Sequence, residues 1–230
     1  MKKEPELILG IDDAGRGPLI GPMALAGCLT TKMREKEFKA LGVKDSKLLS
    51  PRKREWLAKK IKEKAISYKV ELSFPSEIDS RIGTGTNLNK IEAIKAAEII
   101  NKLTKKINEP VRVIIDCPSP NKESWRRDVV KHVLESKKNL IVACEHKADR
   151  DYVAVGAASI LAKSEREKQI AIIKKKIGKD FGSGYPNDPK TLEFLKKYSK
   201  EHKKDGLFRE TWATFQNHKK EKEQKNLLDF

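Results

Sequence analysis

Long apolar runs are missing from this 230-residue chain. No stretch approaches the roughly 18–20 residues that cross a bilayer, which excludes a membrane-spanning helix. The opening residues, Met1-Lys2-Lys3-Glu4-Pro5-Glu6, lack the apolar segment of a secretory signal. A soluble, cytoplasmic protein with no membrane partner is therefore expected. Cysteine is also scarce. Cys28, Cys117 and Cys144 make an odd set without metal-ligand spacing, each within or beside an apolar run. Reduced, buried thiols are predicted in place of a disulfide framework. Negative charge is in deficit: 33 acidic against 50 basic residues leave a net charge of +17. Such an excess favours a polyanionic partner through long-range attraction and counterion release. A Lys/Glu-rich thermal surface explains it less well, because Glu does not keep pace with Lys. Charge alone does not separate DNA from RNA.

The length suits one full core plus an appendage, and a chain 38% hydrophobic and 36% charged suits a globular fold with a heavily charged surface. Apolar runs at Leu7–Ile11, Met23–Leu29, Ile66–Leu72, Val111–Ile115 and Leu140–Cys144 predict five strands. Ser50 and Pro51 read as cap and first residue of a helix over Pro51–Lys64. Further helices are predicted over Leu88–Lys105, Lys122–Leu134 and Tyr152–Ile177, the last apolar at first and then strongly basic. Three strands come early and the later ones alternate with helices. That order predicts an α/β fold: a mixed five-stranded sheet, antiparallel at its opening and parallel after it, flanked by helices. Past Gly178 the pattern turns to Phe181-Gly182-Ser183-Gly184-Tyr185-Pro186 and short polar helices. The expected division is a main domain over residues 1–177, a small helical appendage over 178–218 and a flexible tail over 219–230.

The most informative string is Gly10-Ile11-Asp12-Asp13-Ala14-Gly15-Arg16-Gly17-Pro18. A short buried strand delivers two carboxylates to a sheet edge, and a glycine-arginine-glycine turn follows at once. Carboxylates suit hard divalent cations, whereas Arg and open backbone amides suit phosphate and sugar oxygens. Asp116 ends the Val111–Ile115 strand, where open sheets place ligands. Asp149 stands at the mouth of the next helix. Clustered carboxylates repel one another unless cations neutralise them, so the four together indicate metal more strongly than any one. Taken singly, Asp116 also fits a turn before Pro118, and Asp149 a helix cap.

The nine-residue string resembles the first motif of type 2 ribonucleases H (ribonuclease HII), usually Asp-Glu-Ala-Gly-Arg-Gly-Pro; the chain departs at Asp13. Ile115-Asp116 with its proline turn is similar to the family's second acidic motif. Glu145-His146-Lys147-Ala148-Asp149, followed by Ala157-Ala158-Ser159-Ile160-Leu161-Ala162-Lys163, is similar to its third in archaeal members. The resemblance implies a ribonuclease H-like fold and Asp12, Asp13, Asp116 and Asp149 as a catalytic tetrad binding two Mg²⁺ or Mn²⁺ ions; Asp151 is the competitor for the last place. It implies hydrolysis of RNA in RNA/DNA hybrids and cutting 5′ of ribonucleotides embedded in duplex DNA, in replication and repair. The products would be 5′-phosphate and 3′-hydroxyl ends, formed by two-metal catalysis. Gly15, Arg16 and Gly17 match the family's ribonucleotide-reading turn, as sensing a 2′-hydroxyl requires. Tyr185 resembles the tyrosine that packs on the deoxyribose 3′ of the ribonucleotide. Ser46 and Lys47, in Asp45-Ser46-Lys47, resemble a phosphate-contacting segment, and Asn87 and Asn89 fit the archaeal pattern.

Gln224, Leu227 and Phe230 follow a three-residue spacing that looks like the motif docking replication proteins on the sliding clamp (PCNA), with one aromatic where two are usual. The alternative is a C-terminus packed on its own domain. Two other readings of the whole chain stay open here: a non-catalytic basic nucleic-acid-binding protein, and a type 3 ribonuclease H. The Gly-Arg-Gly turn and the short segment before Leu7 argue against the latter. A monomer is expected.

Overall fold

A computed structural model describes residues 6–43, 49–135 and 139–228, with side chains up to 224. The five predicted strands form one sheet: β1 (Leu7–Ala14), β2 (Met23–Thr31), β3 (Ser67–Ser73), β4 (Val111–Asp116) and β5 (Leu140–Glu145), in the order β3-β2-β1-β4-β5. β1 pairs antiparallel with β2, placing Asp12 opposite Ala26 and Asp13 opposite Leu25. It pairs parallel with β4, and β4 with β5. The central position of β1 explains its nearly unbroken apolar run, since a strand covered on both faces has no solvent side to alternate with.

Nine α-helices are described among these residues: α1 (Lys32–Ala40), α2 (Pro51–Lys64), α3 (Pro75–Gly83), α4 (Leu88–Leu103), α5 (Lys122–Lys131), α6 (Ala148–Asp151), α7 (Val153–Ile177), α8 (Pro189–Tyr198) and α9 (Ala213–Leu228). Ser50 caps α2 by accepting from the Lys53 amide at 3.3 Å, with Pro51 in the first turn as predicted. The pattern does not predict α1 or α3. In α1 only Phe38 is buried, so no apolar face betrays it; α3 is nine residues long and buries only Pro75 and Ile78. Among the described residues no helix is long and apolar enough to cross a membrane.

The chain divides into two compact units. The first holds residues up to Ala14, Ala24–Leu72 and Asn89–Glu165; the second holds Gly15–Met23, Ser73–Leu88 and everything from Arg166. The units are thus interleaved in sequence, and the second is larger than an appendage starting at 178. Continuous helix hides this division from the sequence, because α7 runs through Glu165 and Arg166 without a break.

In the first unit the sheet has a core on each face. Leu9, Ile11, Leu29, Val113, Ile99 and Trp125 belong to one; Ala24, Ala26, Cys28, Leu57, Ile61 and Leu161 belong to the other. The two-residue strand period sorts them, as Leu29 and Cys28 illustrate. A β-carbon on Gly10 would fall on the backbone of Ala154 and Val155, so glycine lets α7 lie directly on β1. All three cysteines are free and buried, and burial pushes the Cys28 and Cys144 thiols up to about 12. They are inert packing residues, as expected.

The second unit is built around Leu19, Ile20, Ile170, Phe181, Phe194, Phe208 and Phe215. Ile20 bridges to Phe208, and the Phe181 and Phe194 rings are tilted with centroids 5.6 Å apart. Beyond residue 218 the chain continues α9 to Leu228. Lys, Glu and Gln are good helix formers, which suits residues 219–224 to extending a helix anchored by buried Phe215 and His218.

Candidate active site

Three of the four predicted carboxylates converge in the first unit. Asp12, at 6% exposure, and the half-buried Asp13 come from the end of β1; half-buried Asp116 ends the neighbouring parallel strand β4. They line a cavity of about 10 Å³, room for one water-sized sphere, together with Glu92, Leu25 and Trp125. Burial pushes the Asp12 carboxyl well above the usual carboxylate range, and the charges of Asp13 and Asp116 push it further. The Asp13 amide donates to Asp12 Oδ1 at 2.8 Å, which opposes that rise.

Asp116 reaches the fourth position through the backbone. Its Oδ1 accepts from the Ala148 amide at 2.8 Å, tying the start of α6 to the end of β4. Lys147, just before, is left-handed at φ 59°, an uncommon conformation for a residue with a β-carbon. Asp149 follows as a buried residue of α6, 4% exposed. It is not the helix cap, a place taken by Lys147, while Asp151 is exposed. His146 Nε2 lies 2.8 Å from the Ser119 carbonyl, and Glu145 pairs with Lys122 at 2.7 Å; these hold the two loops that follow β4 and β5.

The donor set is entirely carboxylate oxygen, which suits a hard divalent ion such as Mg²⁺ or Mn²⁺. Among the described residues no three His, Cys, Asp or Glu groups are disposed as a ready ligand cluster. The carboxylates nevertheless fit a cation by chemistry, because Asp12 is buried beside two like charges. Glu92 is the acid that sequence reading misses. It sits at 1% exposure on α4 between Ile91 and Ala93, and a lone acid inside an apolar helical face was the available signal.

The second unit contains the Gly-Arg-Gly turn and Tyr185. Gly15 has φ 84°, and a β-carbon there would run into Arg166. Exposed Gly17 approaches the Tyr185 ring so closely that its β-carbon would stand 3.8 Å from Cε1. The tyrosine loop is joined to the segment after the turn, since the Leu19 and Ile20 amides donate to the Gly184 carbonyl at 2.8 and 3.1 Å. Buried Thr191 fixes the loop from inside, accepting from the Gly184 amide at 3.0 Å and donating to the Phe181 carbonyl at 2.8 Å.

Two buried arginines missed by sequence reading flank this turn. Arg209, with 0% exposure, donates to the carbonyls of Gly15 at 2.6 Å, Arg16 at 2.7 Å and Gly21 at 3.0 Å. Its guanidinium carbon also lies 4.9 Å from the Trp212 ring centroid. Arg166 packs against Gly15 and donates to the Ser183 carbonyl at 3.2 Å.

Of the remaining predicted residues, Asn89 accepts the Trp125 indole N–H on its backbone carbonyl at 3.0 Å. Ser46 and Lys47 lie outside the described residues, as does Phe230. Gln224 is exposed on α9, and Leu227 is helical with its side chain outside the description.

Comparison with known proteins gives one consistent answer. A family model described as Ribonuclease HII matches residues 9–215. A ribonuclease HII of Methanococcus maripaludis is 42% identical over 229 residues, covering 98% of this chain and 92% of that protein. The crystal structure of ribonuclease H2 from Pyrococcus horikoshii superposes with a TM-score of 0.81 at 34% identity, covering 94% of this chain and 98% of that one. A structure of the PCNA:RNase HII complex from Archaeoglobus fulgidus gives 0.74 at 39% identity, with 84% and 87% covered.

Proposed function

We propose, from the premise that this chain belongs to the ribonuclease HII family, that it cuts on the 5′ side of ribonucleotides embedded in duplex DNA as well as within RNA/DNA hybrids. Membership makes it a ribonuclease H, a nuclease that hydrolyses RNA in hybrids, and sets aside the non-catalytic binding reading. The match to the HII model over residues 9–215 likewise favours HII over a type 3 enzyme.

The observation that carries the mechanism is the gathering of Asp12, Asp13 and Asp116 around one small cavity, with Asp12 deprived of water and surrounded by like charge. Such a set is stable as anions only when cations balance it. Asp12, Asp13, Asp116 and Asp149 would hold two divalent ions. When bound, these ions lower the pKa of the attacking water and stabilise the departing 3′ oxygen. The ends left are 5′-phosphate and 3′-hydroxyl. Asp13 is one methylene shorter than the family's Glu, which favours Mn²⁺ over Mg²⁺, the ion that demands near-ideal geometry.

The second unit reads the sugar. The turn of Gly15, Arg16 and Gly17 meets the 2′-hydroxyl, with exposed Gly17 leaving its backbone open to it; Arg16 meets the adjacent phosphate, and Tyr185 packs on the deoxyribose that follows. Ser46 and Lys47 contact phosphate, and the net charge of +17 draws the duplex in. A DNA duplex carrying one ribonucleotide tests this reading. One cut 5′ of the ribonucleotide is expected with Mn²⁺ or Mg²⁺ and none in EDTA. Cleavage that persists in EDTA would refute the metal assignment.

Gln224, Leu227 and Phe230 would dock on a sliding clamp. Their spacing supports this, as does the likeness to a ribonuclease HII solved with PCNA. Deleting residues 224–230 should abolish stimulation by the clamp and leave intrinsic cleavage within about twofold. Undiminished stimulation would assign the tail another role.

A further inference from the structure

Arg166 belongs to α7, not to any motif, and is 9% exposed. Three features of its surroundings stand out. Its side chain fills the space that a β-carbon on Gly15 would need, so it lies directly against the Gly-Arg-Gly turn. Its guanidinium carbon is 5.0 Å from the Tyr185 ring centroid, within cation–π range. Its Nη2 donates to the Ser183 carbonyl at 3.2 Å and would sit 3.6 Å from a β-carbon on Gly184. One planar group therefore touches the turn, the tyrosine and the loop carrying the tyrosine.

This arrangement costs stability. Burial lowers the pKa of Arg166, and its buried Nε–H has no acceptor among the described residues. A buried donor without an acceptor is unfavourable, and a methionine would fill similar space without that penalty. Filling space does not explain a guanidinium here. Orientation does, because a rigid fork fixes both its hydrogen bond and the ring stacked against it, which a flexible apolar chain does not.

We propose that Arg166 is a positioning residue for sugar selection, setting the Tyr185 ring and the Gly15–Gly17 turn at the separation that distinguishes a ribonucleotide followed by a deoxyribonucleotide. The proposal rests on the reading of the turn and Tyr185 given above. It deepens that reading by making selectivity depend on a residue that touches no substrate. An RNA strand offers ribose after every ribose, so it makes no use of a deoxyribose platform in the right place. Disturbing Arg166 thus harms a single embedded ribonucleotide more than a long hybrid.

The test compares Arg166→Met, Arg166→Lys and Tyr185→Ala on two substrates: a DNA duplex with one ribonucleotide and an all-RNA strand paired with DNA. Arg166→Met should lower kcat/KM on the single ribonucleotide about tenfold, or about 1.4 kcal/mol of transition-state binding. Its loss on the hybrid should stay below about threefold. Arg166→Lys, which keeps the charge over the ring but not the planar fork, should recover only part of the selectivity and guards against a methionine variant that fails to fold. Equal losses on both substrates, or no loss on either, would overturn the proposal. Tyr185→Ala separates the two levels. If it leaves the ratio between substrates unchanged, the reading of the tyrosine fails. If it collapses the ratio while Arg166→Met preserves it, only the role of Arg166 fails.

Discussion

Asp12→Asn is expected to abolish cleavage, by about 10³-fold or more, while duplex affinity stays within about twofold. The substitution keeps size and shape and removes one negative charge from the cavity shared with Asp13 and Asp116. A cation held by carboxylates loses charge and a ligand at once, whereas the phosphates of the duplex are met by basic groups that Asn does not touch. Asp116→Asn should behave alike in activity, with an added effect on α6, because an amide can present its nitrogen in place of the oxygen that accepts from Ala148. The stability result runs the other way. Asp12 is buried beside two like charges, so its neutral isostere should raise the unfolding temperature in EDTA by about 2–4 °C, the shift that about 1 kcal/mol produces in a chain of this size. Single-turnover cleavage, equilibrium binding and thermal melting decide between the outcomes. A fully active Asp12→Asn enzyme removes the metal site from this position.

Arg209→Met should be the most destabilising single change in the second unit. Arg209 satisfies three backbone carbonyls, those of Gly15, Arg16 and Gly21, from a fully buried position. Methionine restores the bulk and none of the donors. Each orphaned carbonyl costs about 1 kcal/mol or more, so the loss is about 3 kcal/mol or more, and the unfolding temperature should fall by about 6–12 °C. Lysine keeps the charge, but a single ammonium does not reproduce a planar fork spread over three acceptors, and Arg209→Lys should recover only part of the loss. The turn is the first casualty, so residual activity should show weaker discrimination between ribonucleotide and deoxyribonucleotide. A melting temperature within about 2 °C of the parent protein would show that the carbonyls find other donors.

The strands were legible because their information is local. Leu7–Leu9 is a continuous apolar run and Val111–Ile115 is broken only by Arg112, which suits strands covered on both faces. Ser50 and Pro51 announced α2 for an equally local reason. The helices α1 and α3 were not legible, since one presents a single buried ring and the other is too short to show a period. The same distinction runs through the site. Asp12, Asp13 and Asp116 stand at strand ends that apolar patterning marks, so their approach could be anticipated. Glu92 sits within a helix that reads as apolar, and no spacing connects it to the others.

The amino-acid order by itself determined the α/β architecture, the carboxylate motifs and the basic surface, because each depends on neighbours in the chain or on composition. Only the tertiary structure decided which charges lose their water. Arg166 and Arg209 are two among 50 basic residues and carry no local mark. They became buried because Gly15, with no side chain of its own, admits one guanidinium beside it, while its carbonyl and two others converge on the second. Desolvation is a property of the packed neighbourhood, and it is desolvation that sets Asp12, Glu92 and Asp149 apart among the acids and these two arginines among the bases.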